Sequence, residues 1–300
     1  MVNWEKTLEK NYKKALIIPF LLLVFGLIII GNHFYKTGDL FERDVSLKGG
    51  ISATVYKENI DVDKLQADLE DKLKTDVFVR NLRDFTENKD IGAIVEISET
   101  GISDKLKLEI ENSIGEKLTK EEFSVEEVGS SLGEGFYKDL IKAIVMAFIL
   151  IAIVVFITFR TFVPSAAVIL SAFLDIVTPM AVIDLLGVKI NTAGIAAFLL
   201  IIGYSVDTDI LMTVKVLKRK DGGNVYERII DSAKTGLTMT ATTFIALTIG
   251  YFITNSLVLK QMFLIISIAL ITDVISTYFM NAGILVWYCK RKHKDENIWA

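Results

Sequence analysis

The residues best placed to do chemistry are acids set in apolar stretches. Gly203-Tyr204-Ser205-Val206-Asp207-Thr208-Asp209 lies between Ile190–Ile202 and Ile210–Leu217, which otherwise read as one membrane-spanning helix. Asp175 and Asp273 lie in two further apolar stretches. A carboxylate at membrane depth costs roughly 2.5–3.5 kcal/mol by insertion measurements, so each acid needs a partner or a task. An acid buried without a countercharge gains and loses a proton near neutral pH, as a proton relay requires. The same property suits a neutral acid that only hydrogen-bonds neighbouring helices, and both readings stand for Asp175, Asp207, Asp209 and Asp273. Asp184, near one span end, is expected to be solvated.

Helical side chains two residues apart point about 200° away from each other. Asp207 and Asp209 therefore face different neighbours. With Asp207 turned to the bundle interior beside Gly203, Asp209 turns to another surface or to a second protein, and Asp207 is the chief relay candidate. Asp175 shares a stripe with Thr178 and Pro179, and that proline removes a helix hydrogen bond. Ser205 and Thr208 flank the acids. Thr235, Thr238 and Thr242 form one stripe, Gly236, Thr240 and Thr243 an adjacent one, and Asp273, Ser276, Thr277 and Asn281 share a face. Hydroxylated stripes serve close helix packing or, opposite buried acids, hold water in a polar path. Lys234 sits at the mouth of the fifth span and Lys215 two turns beyond Asp207, so no basic residue lies deep in a span.

Six apolar stretches must position these residues, at about 16–31, 140–159, 163–186, 192–217, 234–253 and 261–288. The 300 residues are 52% hydrophobic, with a mean hydropathy of +0.45, which places the chain in the membrane class. Leu16–Gly31 lacks a small-x-small cleavage site and reads as an anchor rather than a signal peptide. Residues 32–137 carry 24 Asp/Glu against 14 Lys/Arg, an acidic soluble insertion that argues against nucleic acid as a partner. Within it Gly49-Gly50 makes a tight turn before a strand at 51–56. A helix at 62–73, strands at 77–85 and 91–97 around the turn Glu87–Asp90, a helix at 102–118 with Ser103 as cap, and a strand at 123–128 follow. That βαββαβ order predicts a ferredoxin-like α+β domain. Ser130–Gly135 reads as a flexible hinge.

The division predicted is 1–31, N-terminus and first span; 32–137, extracytoplasmic domain; 138–288, five further spans; 289–300, cytoplasmic tail. Lys6, Lys10, Lys13 and Lys14, then Arg160, then Lys215, Lys218, Arg219, Lys220, Arg228 and Lys234, then Lys290, Arg291, Lys292 and Lys294 share one side of the membrane. Lys189 and Lys260 lie on the other. The positive-inside rule then puts both termini in the cytoplasm and the acidic domain outside. One cysteine, Cys289, and two histidines, His33 and His293, exclude a disulfide framework or a His/Cys metal cluster within one copy, and no cofactor is expected. No nucleophile motif or phosphate-binding loop is present, so the chain does not read as an enzyme.

Taken together, the six spans, the domain between the first two, Lys48-Gly49-Gly50, Val128-Gly129 and Gly203-Tyr204-Ser205-Val206-Asp207 resemble the SecF family. SecF is the smaller membrane subunit of the SecDF protein-export complex and is similar to half of a resistance-nodulation-division transporter. The resemblance implies a SecD partner, contact with a SecYE-type translocon, a translocating polypeptide as substrate, a membrane-lipid setting, and use of a proton or ion gradient. Bacterial SecF commonly reads Gly-Tyr-Ser-Ile-Asn-Asp-Thr here, which puts its acid at Thr208. This chain is closer to the SecD pattern Val-Asp-Ala-Asn, which puts it at Asp207. The bacterial fifth span opens Arg-Thr where this chain has Lys234-Thr235 or, in another register, Thr235-Gly236, departures that suit the archaeal branch. Besides an export subunit driven by a carboxylate relay, two readings stand: an exporter of lipids or small molecules, and a passive scaffold for its partner.

Overall fold

The computed structural model describes residues 12–84, 89–218, 224–254 and 256–292. Lys6, Lys10, the Glu87-Asn88 part of the expected turn, Arg219, Lys220, His293, Lys294 and the end of the predicted tail lie outside them. The chain divides into two units, Arg43–Ile141 and the remainder.

In the smaller unit the elements run α2 (Val45–Lys48), β1 (Gly50–Val55), α3 (Val62–Leu73), β2 (Val77–Asp84), β3 (Lys89–Ile97), α4 (Ser103–Ile114) and β4 (Phe123–Val128). The sheet order is β2-β3-β1-β4 with every pair antiparallel, and Ala53 stands opposite Val95 on one side and Val125 on the other. Side chains alternate across the sheet. Ile51, Ala53, Val55, Val77, Val79, Ala93, Val95 and Ile97 thus share a face, and Leu65, Leu69 and Leu73 of α3 and Leu106 and Ile110 of α4 close over it. Each valine, leucine or isoleucine among them contributes about 1.5–3 kcal/mol on burial.

The helix ends are set locally. Asp61 caps α3 by accepting the Lys64 N–H at 3.1 Å. Ser103 does not cap α4: it is that helix's first residue, and its hydroxyl donates instead to Glu127 on β4, which also accepts the Gly101 N–H. Gly49 and Gly50 both have positive φ, 85° and 122°. A Cβ on Gly49 would collide with the Ser130 backbone, and one on Gly50 with the Ile97 carbonyl. On the sheet's second face Glu96 is buried and accepts from Arg80 at 3.3 Å. Asp44, the cap of α2, has its carboxyl held above the usual range by burial and by the charge of Glu96, against the Val45 N–H bond and Arg80.

Among the described residues six helices are long and apolar enough to cross a membrane: Tyr12–Thr37, Ser130–Phe159, Phe162–Leu185, Thr192–Leu217, Val225–Ile253 and Val258–Lys292. The regular helices within them are α1 (Ile17–Thr37), α5 (Ser130–Phe159), α6 (Phe162–Leu185), α7 (Thr192–Leu217), α8 (Val225–Ile253), α9 (Leu257–Ile275) and α10 (Ala282–Lys292). The expected hinge at Ser130–Gly135 is the first turn and a half of α5. Its Gly133 is there to let the backbone lie against Gly49, where a Cβ would stand 2.7 Å from the Gly49 nitrogen. The last span, expected as one helix, is interrupted by a π-helix at Ser276–Asn281, where the Ala282 N–H reaches back five residues to the Thr277 carbonyl.

Helices α6 and α7 are the most buried of the six spans, and α5 and α8 carry apolar residues that stay exposed, as a lipid-facing surface would. At one end of this unit the α6–α7 turn is tied down: the Ile190 N–H donates to the Glu42 carbonyl at 2.8 Å, and the Gln261 amide donates to the Lys189 carbonyl. Asp184 is not simply solvated. It lies 2.8 Å from His33 Nδ1, and both side chains are mostly covered.

Candidate proton-carrying centre in the helical bundle

Three of the four candidate acids meet inside the bundle. Asp175 on α6, Asp209 on α7 and Asp273 on α9 are 0–1% exposed. Pro179 lies inside α6 and has no N–H, so the Asp175 carbonyl four residues earlier loses its helical donor.

Hydroxyl groups supply the hydrogen bonds. Ser205 donates to Asp175 Oδ2, and Ser276 lies 2.7 Å from Asp175 Oδ1 and 3.1 Å from the Asp273 carbonyl. Thr208 reaches the Ser205 carbonyl at 2.8 Å and Asp273 Oδ1 at 3.1 Å, and Thr277 reaches Asp273 Oδ1 at 3.2 Å. A hydroxyl has one hydrogen and two lone pairs. Ser276 and Thr208 can therefore turn between a carboxyl oxygen and a backbone carbonyl as the charge on the acids changes. Asp209 is held differently: the Asn281 amide donates to its Oδ1 at 2.8 Å and approaches Thr213 Oγ1 at 3.5 Å.

Among the described residues no lysine, arginine or histidine hydrogen-bonds or ion-pairs with these three acids, and no group of His, Cys, Asp and Glu is placed to hold a metal ion. The nearer lysine named from the sequence, Lys215, is engaged elsewhere, 2.9 Å from Asp231 on α8.

The other sequence candidates fall outside this centre. Asp207, expected to face the interior, is exposed, and Asp209 takes the inward position. The two do point apart, but in the opposite sense, because the whole circumference of α7 is apolar enough to leave its rotation open. Gly203 is exposed on the same side as Asp207, and Tyr204 is half-buried with its hydroxyl unpartnered. Thr238, Thr242 and Lys234 are exposed, and each threonine donates within its own helix, Thr238 to the Lys234 carbonyl at 2.8 Å and Thr242 to the Met239 carbonyl at 2.8 Å. The adjacent stripe faces inward instead: Gly236 leaves room for the Tyr278 hydroxyl, and Thr240 is buried. Gly49 and Gly50 belong to the four-stranded unit. Ser171 and Thr213, both fully buried, escaped attention although each sits one helical turn from an acid, four residues before Asp175 and four after Asp209.

Among the described residues, six apolar helices with a buried acid–hydroxyl network, and an antiparallel sheet domain inserted after the first, define a polytopic membrane protein. The family model described as "Protein export membrane protein SecD/SecF, C-terminal" matches residues 109–291. The protein-export membrane protein SecF of Methanocaldococcus jannaschii is 36% identical over 291 residues, covering 93% of this chain and 96% of its own. That of Thermococcus gammatolerans is 34% identical over 276 residues, covering 92% and 85%. The chain belongs to the SecD/SecF family of protein-export membrane proteins. The crystal structure of SecDF, a translocon-associated membrane protein from Thermus, is similar in fold at a TM-score of 0.72 and 20% identity, over 94% of this chain. This chain spans 38% of that longer chain.

Proposed function

We propose that this chain is a SecF-type subunit that works with a SecD-type partner and a SecYE-type translocon to assist polypeptides across the cytoplasmic membrane, drawing on proton movement through Asp175, Asp209 and Asp273. The observation that carries the reading is the meeting of three buried acids from three helices, joined by hydroxyls that can reverse direction, with no basic side chain bonded to them among the described residues. A structural cluster needs only satisfied bonds. A relay needs acids whose proton can be taken up and passed on, and reorientable hydroxyls provide that.

The basic residues near the span ends support a topology with both termini in the cytoplasm and residues 32–137 outside, where an emerging polypeptide would meet them. The βαββαβ order and the strand order β2-β3-β1-β4 support reading that domain as ferredoxin-like. Asp207, Thr238 and Thr242, polar and exposed on α7 and α8, belong at the face toward the SecD-type subunit, since lipid is a poor neighbour for a carboxylate. The name SecF on relatives that match nearly the whole chain, and the SecDF fold, support the export role.

Pulse–chase export of a secretory protein, in cells whose own copy is replaced by Asp175→Asn, tests the relay. Export falls sharply at normal subunit levels if the acids carry protons. Unchanged export makes the chain a scaffold. A cysteine at Asp207 forms a crosslink to the co-purified partner if this face is the interface; labelling by a lipid-phase probe alone removes that assignment.

A further inference from the structure

The four-stranded sheet has two edges, β2 and β4, and they are guarded differently. Antiparallel strands bond through alternate residues, so a single hydrogen bond fixes which backbone groups of an edge strand point outward. On β2 the Val79 N–H turns away from β3 and is taken by the Gln66 side chain of α3 at 3.1 Å. Beside β4 the Tyr56 N–H donates to the Glu122 carbonyl at 2.8 Å, in line with the register that sets Thr54 opposite Ser124 and Ser52 opposite Glu126. Alternation then turns the backbone N–H and C=O of Phe123, Val125 and Glu127 away from β1. Among the described residues these groups meet no hydrogen-bond partner. Residues 124–127 are all exposed, Val125 to 42%.

Edge strands are commonly blunted by a proline, a bulge or a charge held across them. β4 has no proline, its register against β1 is unbroken, and Glu127 is drawn back to the start of α4, where it accepts from the Gly101 N–H and the Ser103 hydroxyl. An added strand would meet two unlike faces. On the helix side stand Val125 and Phe123, with Lys107 Nζ 5.3 Å from the Phe123 ring. On the other stand Ser124 and Glu126. Residues 120–127 hold four glutamates against one lysine, so a second copy of β4 brings like charge and a basic segment brings the opposite one.

We propose that β4 takes an extended segment of the translocating polypeptide as a fifth strand, favouring stretches that alternate apolar residues, placed beside Val125, with basic ones, placed beside Glu126. Strand hydrogen bonds are the same for every sequence, which suits a binder of many unfolded chains, and the alternating side chains add a preference. The occupant's identity rests on the export reading. The open edge does not.

The test measures binding rather than export, so its failure leaves the export reading standing. The full chain in lipid nanodiscs is titrated with a labelled peptide of alternating valine and lysine, and amide exchange is followed across β4. The expected result is saturable binding with slower exchange at Phe123, Val125 and Glu127. Val125→Pro removes an outward N–H and no bond to β1, as edge strands tolerate, and weakens binding roughly tenfold. Equal binding to the wild type and Val125→Pro reduces the contact to charge and overturns the proposal, as does no binding at all. A second arm needs no variant: the wild type is titrated with the same peptide N-methylated at its valines, which lie opposite Val125, or at its lysines. Binding is lost with the first and kept with the second; equal affinity for both overturns strand addition. A co-purified partner subunit that already protects the three amides assigns the edge to a folded neighbour and overturns it too.

Discussion

The two units of this chain use aspartate in opposite ways. In the four-stranded unit the interior is aliphatic, built from Ile51, Leu69, Val95, Leu106 and Ile110, and acids such as Glu58 and Asp71 lie on the surface. In the helical unit the apolar side chains of α5 and α8 are exposed, and Asp175, Asp209 and Asp273 are inside. Water makes apolar burial the driving force in the first. Lipid removes that drive in the second, where packing and interhelical hydrogen bonds hold the helices together. A buried acid in the sheet unit is therefore a burden on folding, and in the helical unit it is the feature around which helices assemble.

That contrast can be broken by substitutions, taken from the largest expected effect to the smallest. Leu106→Ala removes a fully buried side chain over β1 and β3 and costs about 2–5 kcal/mol; amide exchange in β1 and β3 of the full chain speeds accordingly, and no change would mean that the aliphatic face is not the core. Ser276→Ala, a change of one oxygen in the helical unit, leaves Asp175 Oδ1 without its hydroxyl and costs about 1–3 kcal/mol, read as earlier unfolding of the detergent-solubilised protein. If it is neutral, hydroxyl bonds do not hold that centre together.

Asp44→Asn sharpens the comparison, because desolvation in the sheet unit holds the Asp44 carboxyl above its ordinary range. Its folded carboxyl titrates above the ordinary 3.8, so the folded state binds the proton more tightly than the unfolded one. Stability is therefore greatest below the ordinary value and is lost as pH rises from 3.8 through the raised folded value. Asparagine keeps an oxygen for the Val45 N–H and removes that loss. Exchange in β1 is expected to be slower than in the wild type at neutral pH, with the difference vanishing in acid; slower exchange in the wild type at neutral pH would reverse the assignment. Lys89→Ala, which breaks the exposed pair with Glu58, costs about 0–1 kcal/mol, and a larger loss would show that surface charge matters more to this unit than its core does.

The alternating strands and the 3.6-residue periods of Val62–Leu73 and Leu106–Ile110 were legible because a soluble domain writes its inside and outside in apolar and polar letters. The spans were legible by length. Their rotation was not, since a helix apolar on every side gives no sign of which face is inward, and so Asp207 and Asp209 exchanged places, and nothing in the sequence told which of the two stripes of α8 would face inward. Ser130–Gly135 read as a hinge because glycine and serine usually break helices, whereas Gly133 is required by the close approach of Gly49. The π-helix at Ser276–Asn281 left no local mark in a run of ordinary helix-compatible residues, and the pairing of Asn281 with Asp209 depends on a contact 72 positions apart.

The most direct test of the central claim is the rate of polypeptide export in membrane vesicles as the transmembrane proton gradient is varied, with wild-type chain and with Asp175→Asn at equal subunit levels. The account predicts a rate that rises with the gradient in the wild type and is flat in the variant. An equal rise in both would contradict it.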